Sequence, residues 1–343
     1  MRKIKIILLI FALMIALVGC GGEKEPAKVE ENNQAQGQEE IEEVEEIEEE
    51  EGLEPMVKKD KALPGAFIVS IDNNGPARPQ SGLDKADRVY EIIAEGGITR
   101  FLAIYHSQEA DKIGPVRSAR YYFTYIVKGH DLPFAHAGGS TQALNLIREL
   151  KLKDLDEIYN SGGYFYRTKD RKMPYNLYTS TELLTKGSEA KKYKLLPLKP
   201  LEQGTVSGGE EINQIDITYN KIEKYLYRVS YQWDGQRYQR FINGSPHKTL
   251  EGNELYTENV IVIEAKTRNV VTDQLRSEVD LIGKGKALFF TDGKTYQGSW
   301  EKPQAESEFK FLYEGKPMKF NGEHAWINVV GNLSDVEQKN TAL

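Results

Sequence analysis

Residues 87–120 read DRVYEIIAEGGITRFLAIYHSQEADKIGPVRSAR and combine strand-like patterning, glycine punctuation and charge more densely than any other part of the chain. β-branched and aromatic residues fill 89–94 and 99–106. Between them Gly96 and Gly97 tolerate positive φ, so the stretch predicts an antiparallel hairpin closed by a two-residue turn. In that register Glu95 faces Ile98, Ile93 faces Arg100 and Glu91 faces Leu102, and directly opposed side chains share one face of the sheet. Glu91, Glu95 and Arg100 are then expected together among Val89, Ile93, Leu102 and Ile104. Charges on an apolar face require partners. The cluster is either a cross-strand ion pair that fixes register or the edge of a site.

The residues that follow add to the same cluster. Gly114-Pro115 breaks the chain, Ser118 is placed to cap a helix running to about residue 128, and Gly129 is the expected stop. Tyr121, Tyr122, Phe123, Tyr125 and Ile126 make most of that helix apolar and predict its burial. Arg117 and Arg120, three apart at its start, need anionic partners. Glu91 and Glu95 can serve, and so can a ligand carboxylate or phosphate, since the guanidinium fork binds oxyanions through paired hydrogen bonds.

Upstream, Arg2, Lys3 and Lys5 precede an apolar run over residues 6–18, the length of a signal-peptide core and short for a membrane span. Leu17-Val18-Gly19-Cys20 follows and resembles the lipobox of bacterial lipoproteins, in which the cysteine is lipidated and becomes the new N-terminus. Cys20 is the single cysteine, so no intramolecular disulfide is available. The acyl chains would tether the body to a membrane. Residues 21–60 carry 16 acidic and 4 basic side chains, with ten glutamates among residues 39–51, a composition that favours an extended solvated spacer. The whole chain carries −7, the spacer −12 and the leader +3, which leaves +2 for residues 61–343. A nearly neutral body without a basic block argues against nucleic acid as a partner. The expected organisation is a signal peptide over 1–19, an acidic stalk over 20–60, an α+β domain over 61–205 and a β-rich domain over 206–343.

Within the first of those domains, residues 63–72 predict a buried strand and 73–82 a polar loop. Residues 132–137 (LPFAHA) predict a short strand, Gly138-Gly139 a turn, and Ser140 or Thr141 the cap of a helix to about residue 150. A helix start beside two glycines is receptive to anions. His136 and Ser140 are four apart across this turn, yet the chain has no G-x-S-x-G elbow and no evident acid to orient the histidine. Thr179 and Glu182 fit a capping box for a helix over 180–190.

In the second half, Asp234-Gly235, Asp292-Gly293, Glu314-Gly315 and Asn321-Gly322 punctuate alternating strands and predict an antiparallel meander or sandwich, with residues 259–265 as a central strand. Trp233, Trp300 and Trp326 are read as sheet packing, with a groove for a saccharide or peptide as the functional alternative. His106, His130, His136, His247 and His324 show no i, i+4 pairing with clustered carboxylates, so neither a metal site nor a cofactor is expected.

The blocks RPQSGLDKADRVYEIIAEGGITR, IGPVRSAR and HAGGS, with the tryptophan-and-turn pattern of the second half, resemble the YerB-like lipoprotein family, whose defining domain has no assigned function. The resemblance spans residues 63–330. It implies an α+β fold of layered antiparallel and mixed sheets with a few helices in the first half, a mostly antiparallel β second half, and a lipid-anchored protein on the outer face of the cytoplasmic membrane. It implies no activity. In the segment MPYNLYTS, the family pattern has His before the Asn, whereas Tyr175 precedes Asn176 here.

These features point to a non-catalytic envelope binding protein. Glu91, Glu95, Arg100, Arg117 and Arg120, with Ser140 and Asn176, are the expected ligand-binding residues, and the ligand class is an anionic cell-wall fragment, a peptide or an envelope protein. The alternative is a cell-wall hydrolase or transferase using Glu91 and Glu95 with His136, although an arginine between two carboxylates holds both ionised and disfavours an acid role.

Overall fold

The computed structural model describes residues 63–160, 162–271 and 275–340. The leader, Cys20 and the acidic stalk lie outside the described residues.

In the first half, strands β1 (Phe67–Asp72), β2 (Arg88–Glu95), β3 (Ile98–Tyr105), β4 (Phe134–His136) and β5 (Asp154–Asp156) are interspersed with helices α1 (Tyr121–His130), α2 (Thr141–Glu149), α3 (Glu157–Asn160) and α4 (Thr181–Ala190). A two-stranded ribbon, β6 (Tyr166–Arg167) with β7 (Leu177–Tyr178), precedes α4. The second half holds β8 (Glu210–Glu211), β9 (Gln214–Asn220), β10 (Tyr227–Trp233), β11 (Tyr238–Ile242), β12 (Ser245–Pro246), β13 (Tyr256–Thr257), β14 (Asn259–Glu264), β15 (Thr267–Val271) and β16 (Leu275–Val279). It continues through β17 (Gly283–Thr291), β18 (Lys294–Lys302), β19 (Lys310–Tyr313), β20 (Lys316–Pro317), β21 (Ala325–Val330) and β22 (Val336–Lys339). No α-helix interrupts the described residues after α4. The class is α+β with a mostly β second half, as the sequence implies.

One large mixed sheet runs β20-β19-β18-β17-β14-β21-β2-β3-β1-β4-β5 and so draws strands from both halves of the chain. The seam is β21, which lies parallel to β14 on one side and to β2 on the other. Short-range turn signals predict hairpins, and they carry no information about this long-range parallel pairing. A smaller sheet, β12-β11-β10-β9-β22, packs on one face of the large one. On that face Phe67, Val69, Phe101, Val260 and Trp326 meet Ile215, Ile217, Val229 and Tyr231 of the smaller sheet. On the other face Ile68, Ile92, Leu102, Ile104 and Ile327 meet Phe123, Ile126 and Val127 of α1 and Ile147 of α2. Covering on both sides explains why FIVSID in β1 has no alternation: all six residues are buried.

The hairpin forms with the expected turn, but not with the expected register. Gly96 and Gly97 take φ of 57° and 80°, and Glu95 faces Ile98. Beyond the turn a bulge between Ile93 and Glu95 slips the pairing by one residue, so that Ile93 faces Thr99, Ile92 faces Arg100 and Glu91 faces Phe101. Side chains alternate along a strand, so one extra residue exchanges faces for everything after it. Glu95 therefore lies with Arg100 on the helix-covered face, while Glu91 turns toward the smaller sheet.

Three helix boundaries also differ. Arg120, without a side-chain cap bond, occupies the N-cap position of α1, because the Ser118 carbonyl and hydroxyl are engaged by Arg100. Gly129 lies inside α1, which ends at a left-handed Asp131 (φ 51°); at Gly129 a side chain would collide with the Ser307 carbonyl. Ser180, one residue after the expected Thr179, caps α4 by accepting from the Leu183 N–H at 3.1 Å. Ser140 caps α2 as expected.

Candidate functional site

On the helix-covered face, β2, β3 and the segment entering α1 assemble Glu95, Arg100, Arg117 and Arg120. The Glu95 carboxylate is bracketed: Arg100 Nη2 donates to Oε1 at 2.6 Å and Arg120 Nε donates to Oε2 at 3.0 Å. Arg100, with its side chain only 1% exposed, spends its second terminal nitrogen on the Ser118 carbonyl at 2.7 Å. Burial alone would raise the Glu95 carboxyl, but the charges of Arg100 and Arg120 outweigh it and hold the group below its ordinary value. Arg117 stands apart, 3.2 Å from Asp72 Oδ2 and partly exposed. Three of the five expected residues thus bond to one another here, with Arg117 paired to Asp72 beside them. Their charges are largely spent on one another.

Glu91 belongs to a second cluster, sealed between the sheets. Thr99 Oγ1 and the Tyr227 hydroxyl donate to its Oε1, each at 2.7 Å, and Arg240 Nη2 donates to its Oε2 at 2.7 Å. Neither member of the ion pair has any side-chain exposure. Arg240 lies 3.9 Å over the Trp326 ring, donates from Nε to His247 Nδ1 at 3.0 Å and meets the Tyr231 hydroxyl through Nη1. Burial pushes the His247 ring well below its usual range, and the nearby Arg240 charge adds to that. For Arg240, burial alone would lower the guanidinium, and the Glu91 carboxylate reverses it. Asn73 Nδ2 donates to Thr99 Oγ1 at 2.7 Å and to the Tyr227 hydroxyl at 2.6 Å, completing a connected network. Trp326 is therefore sheet packing beneath a cation, and Trp300 is likewise buried, donating from Nε1 to the Glu264 carbonyl at 2.8 Å.

The remaining expected residues are dispersed. His136 is buried in β4 with Nδ1 facing the Gly138 carbonyl and Nε2 facing Asp154 Oδ1, both at 2.8 Å, so both ring nitrogens are committed to acceptors. Ser140 Oγ is occupied as a helix cap, accepting from the Ala143 N–H at 3.2 Å. Asn176, in the loop before β7, accepts from Arg167 Nη1 and donates to the Thr168 carbonyl. The Asn176 amide is spent on holding its own loop. Among the described residues, no group of three or more His, Cys, Asp or Glu side chains is placed to hold a metal ion, and no helix is long and apolar enough to cross a membrane.

Beside the hairpin turn, directly above the Asn73–Tyr227 end of the buried network, opens a cleft of about 390 Å³. Its walls include Asn73, Arg78, Gly97, Asn220, Tyr225 and Tyr227, with Lys224 at the rim. Gly97 takes φ 80°, a conformation that disfavours any side chain, and a Cβ there would also push on the Asn220 amide. Sequence patterning overlooks this feature because Arg78 sits in a polar loop and Tyr225 in a short turn 147 positions later, each ordinary by itself. The adjacent asparagines 73 and 74, directly after a buried strand, are the one local signal.

The comparisons with known proteins agree with this architecture. The family model described as "Protein of unknown function (DUF3048) N-terminal domain" matches residues 52–194, and its C-terminal counterpart matches residues 215–327. The Bacillus subtilis protein named "Putative lipoprotein YerB" is 33% identical over 288 residues, covering 82% of this chain and 85% of the relative. A crystal structure of YerB from Bacillus subtilis superposes with a TM-score of 0.74 at 32% identity, covering 81% of this chain and 94% of that one. The chain belongs to the DUF3048 family.

Proposed function

We propose that the protein is a lipoprotein, tethered through Cys20 to the outer face of the cytoplasmic membrane, whose folded body acts by binding an envelope ligand without transforming it. The Leu17-Val18-Gly19-Cys20 motif and the lipoprotein name of the Bacillus subtilis relative support the tether. The observation that carries the binding role is the preformed cleft beside the Gly96-Gly97 turn, whose floor is fixed by the sealed Glu91–Arg240 network. A site mounted on such a base is pre-organised, which lowers the ordering penalty of binding. The ligand class is an anionic cell-wall fragment, a peptide or an envelope protein. Against a hydrolase or transferase stands the state of the groups it would need. Glu91 is paired with Arg240, Glu95 with Arg100 and Arg120, and His136 with two acceptors.

Full-length protein in detergent, mixed with purified cell walls, is expected to co-sediment and to leave the walls intact across a broad pH range. Released fragments that disappear in Glu95→Gln would establish the catalytic alternative instead. Cys20→Ala is expected to free the protein from the membrane fraction.

A further inference from the structure

The cleft beside the hairpin turn is lopsided in its chemistry. Arg78 and Lys224 line it, and none of the described aspartates or glutamates does. The Arg78 guanidinium lies 5.1 Å over the Tyr227 ring, its Nε is buried without a hydrogen-bond partner, and no carboxylate of the described residues pairs with it. Lys224, 5.4 Å over the Tyr225 ring, likewise has no carboxylate partner among the described residues. This sets the pair apart from Arg100, Arg120 and Arg240, each of which has its own carboxylate. Asn220 spends its carbonyl oxygen on the Ile222 N–H at 3.0 Å, leaving its amide donors toward the glycine turn. Tyr225, 59% exposed, also lines the cleft.

Cations and amide N–H groups are donors, so the free hydrogen-bonding capacity of the cleft is mainly donor capacity. An occupant that satisfies it is rich in acceptors and negatively charged. A peptide backbone brings one donor for each acceptor and matches poorly. A sugar or polyol carrying phosphate or carboxylate brings an oxyanion for the guanidinium fork, hydroxyl and ether oxygens for the amide, and a C–H face for the tyrosine ring. The volume lies in the range of small-ligand sites. We propose that this cleft holds one segment of an anionic saccharide or polyol chain, with Arg78 and Lys224 on its acidic group and Tyr225 against its ring or carbon backbone. This rests on the binding role proposed above and specifies its site and ligand chemistry.

Full-length protein in detergent is titrated with four probes: polyglycerol phosphate, polygalacturonate, neutral dextran and polyglutamate. Binding of polyglycerol phosphate or polygalacturonate is expected, and which of the two is tighter separates a phosphate from a carboxylate source. Arg78→Gln should weaken that binding by about tenfold, the loss of one charge-assisted contact, and added salt should weaken it further. Lys224→Gln and Tyr225→Ala lie at exposed positions, leave thermal unfolding unchanged and should each weaken binding several-fold. The proposal is overturned if dextran or polyglutamate binds as tightly as the anionic saccharides, or if the Lys224 and Tyr225 variants bind like the parent. Co-sedimentation with cell walls that survives all three substitutions would leave the binding role standing and remove only this site. Loss of co-sedimentation in the parent protein itself would remove the role.

Discussion

On one side of the β2–β3 hairpin Glu91 and Arg240 face each other with no exposure, surrounded by Thr99, Tyr227, Tyr231 and His247. On the other, Glu95 keeps 28% of its side chain in water between Arg100 and Arg120. The two clusters use the same ionic groups and sit four residues apart on one strand, yet burial gives them different roles. A sealed pair must overcome the desolvation of both charges and does so only when every lone pair and proton is engaged. Its worth lies in specifying how the two sheets dock, since any other docking would strand a charge. In the Glu95 cluster only Glu95 and Arg120 keep part of their hydration while Arg100 is buried, so it loses less water on docking than the sealed pair and specifies less. The cleft beside the turn is the third state: its cations, Arg78 and Lys224, have no carboxylate partner among the described residues.

Removing one partner of the sealed pair should have the largest effect. Arg240→Met keeps volume and stacking on Trp326 but leaves Glu91 buried and unpaired. The expected loss is about 3–5 kcal/mol of unfolding free energy, measured by chemical denaturation. Adding Glu91→Leu to the same chain should recover most of it, because the stranded charge is then gone. A single-variant loss below about 1 kcal/mol would mean that water reaches the pair.

A buried cation held only by carbonyls is the next case. Lys302 is fully buried at the end of β18 and donates to the carbonyls of Gln304 at 3.3 Å and Ala305 at 2.9 Å, and also to that of Ser307. Burial lowers it to about 8 from 10.5, against the pull of Glu306 and Glu308. The folded chain therefore releases this proton before the unfolded chain does. Between pH 8 and 10.5 the unfolded state binds more protons, and stability attributable to Lys302 rises with pH. Lys302→Met should abolish that alkaline rise. A slope unchanged by the substitution would show that the carbonyl cage keeps the ammonium fully charged.

How much of this was legible in the residues varies with range. Turn chemistry and apolar patterning act locally, so the Gly96-Gly97 turn, the buried β1 and the Asp292-Gly293 and Glu314-Gly315 hairpins were all readable from residue type. The gathering of Glu95, Arg100 and Arg120 was readable too, because hairpin and helix start are contiguous, whereas the pairing of Arg117 with Asp72 was not. The bulge was not, since nothing in IIAEGG distinguishes a regular strand end from one with an extra residue, and that single residue decided where Glu91 points. Arg240, His247 and Trp326 reach Glu91 from 149, 156 and 235 positions away in sequence. Only sheet docking and the parallel β2–β21 pairing bring them there. The cleft escaped for the same reason.

The smallest expected effect lies on the open face and tests the comparison from its weaker side. Glu95→Gln removes the shared carboxylate of Arg100 and Arg120 while keeping shape and one acceptor. Glu95 and Arg120 are part-hydrated, but Arg100 is buried and keeps only the amide oxygen and the Ser118 oxygens as acceptors. The expected loss at neutral pH is therefore about 1–3 kcal/mol, its Arg120 share shrinking as salt is added. Its pH dependence has a fixed sign. Burial would raise the Glu95 carboxyl, the two arginines overcome this and hold it below 4.5, and so the folded state resists protonation. The stability it contributes is present above the ordinary carboxylate value and is lost as pH falls through the lowered one. Parent and variant should therefore differ in urea midpoint at pH 7 and converge in acid. Were the difference to persist unchanged in acid, Glu95 would be acting through packing alone. If instead Glu95→Gln matched the Arg240→Met loss, the Glu95 cluster would be as much a docking determinant as the sealed one, and the exposure of its carboxylate would not be what separates them.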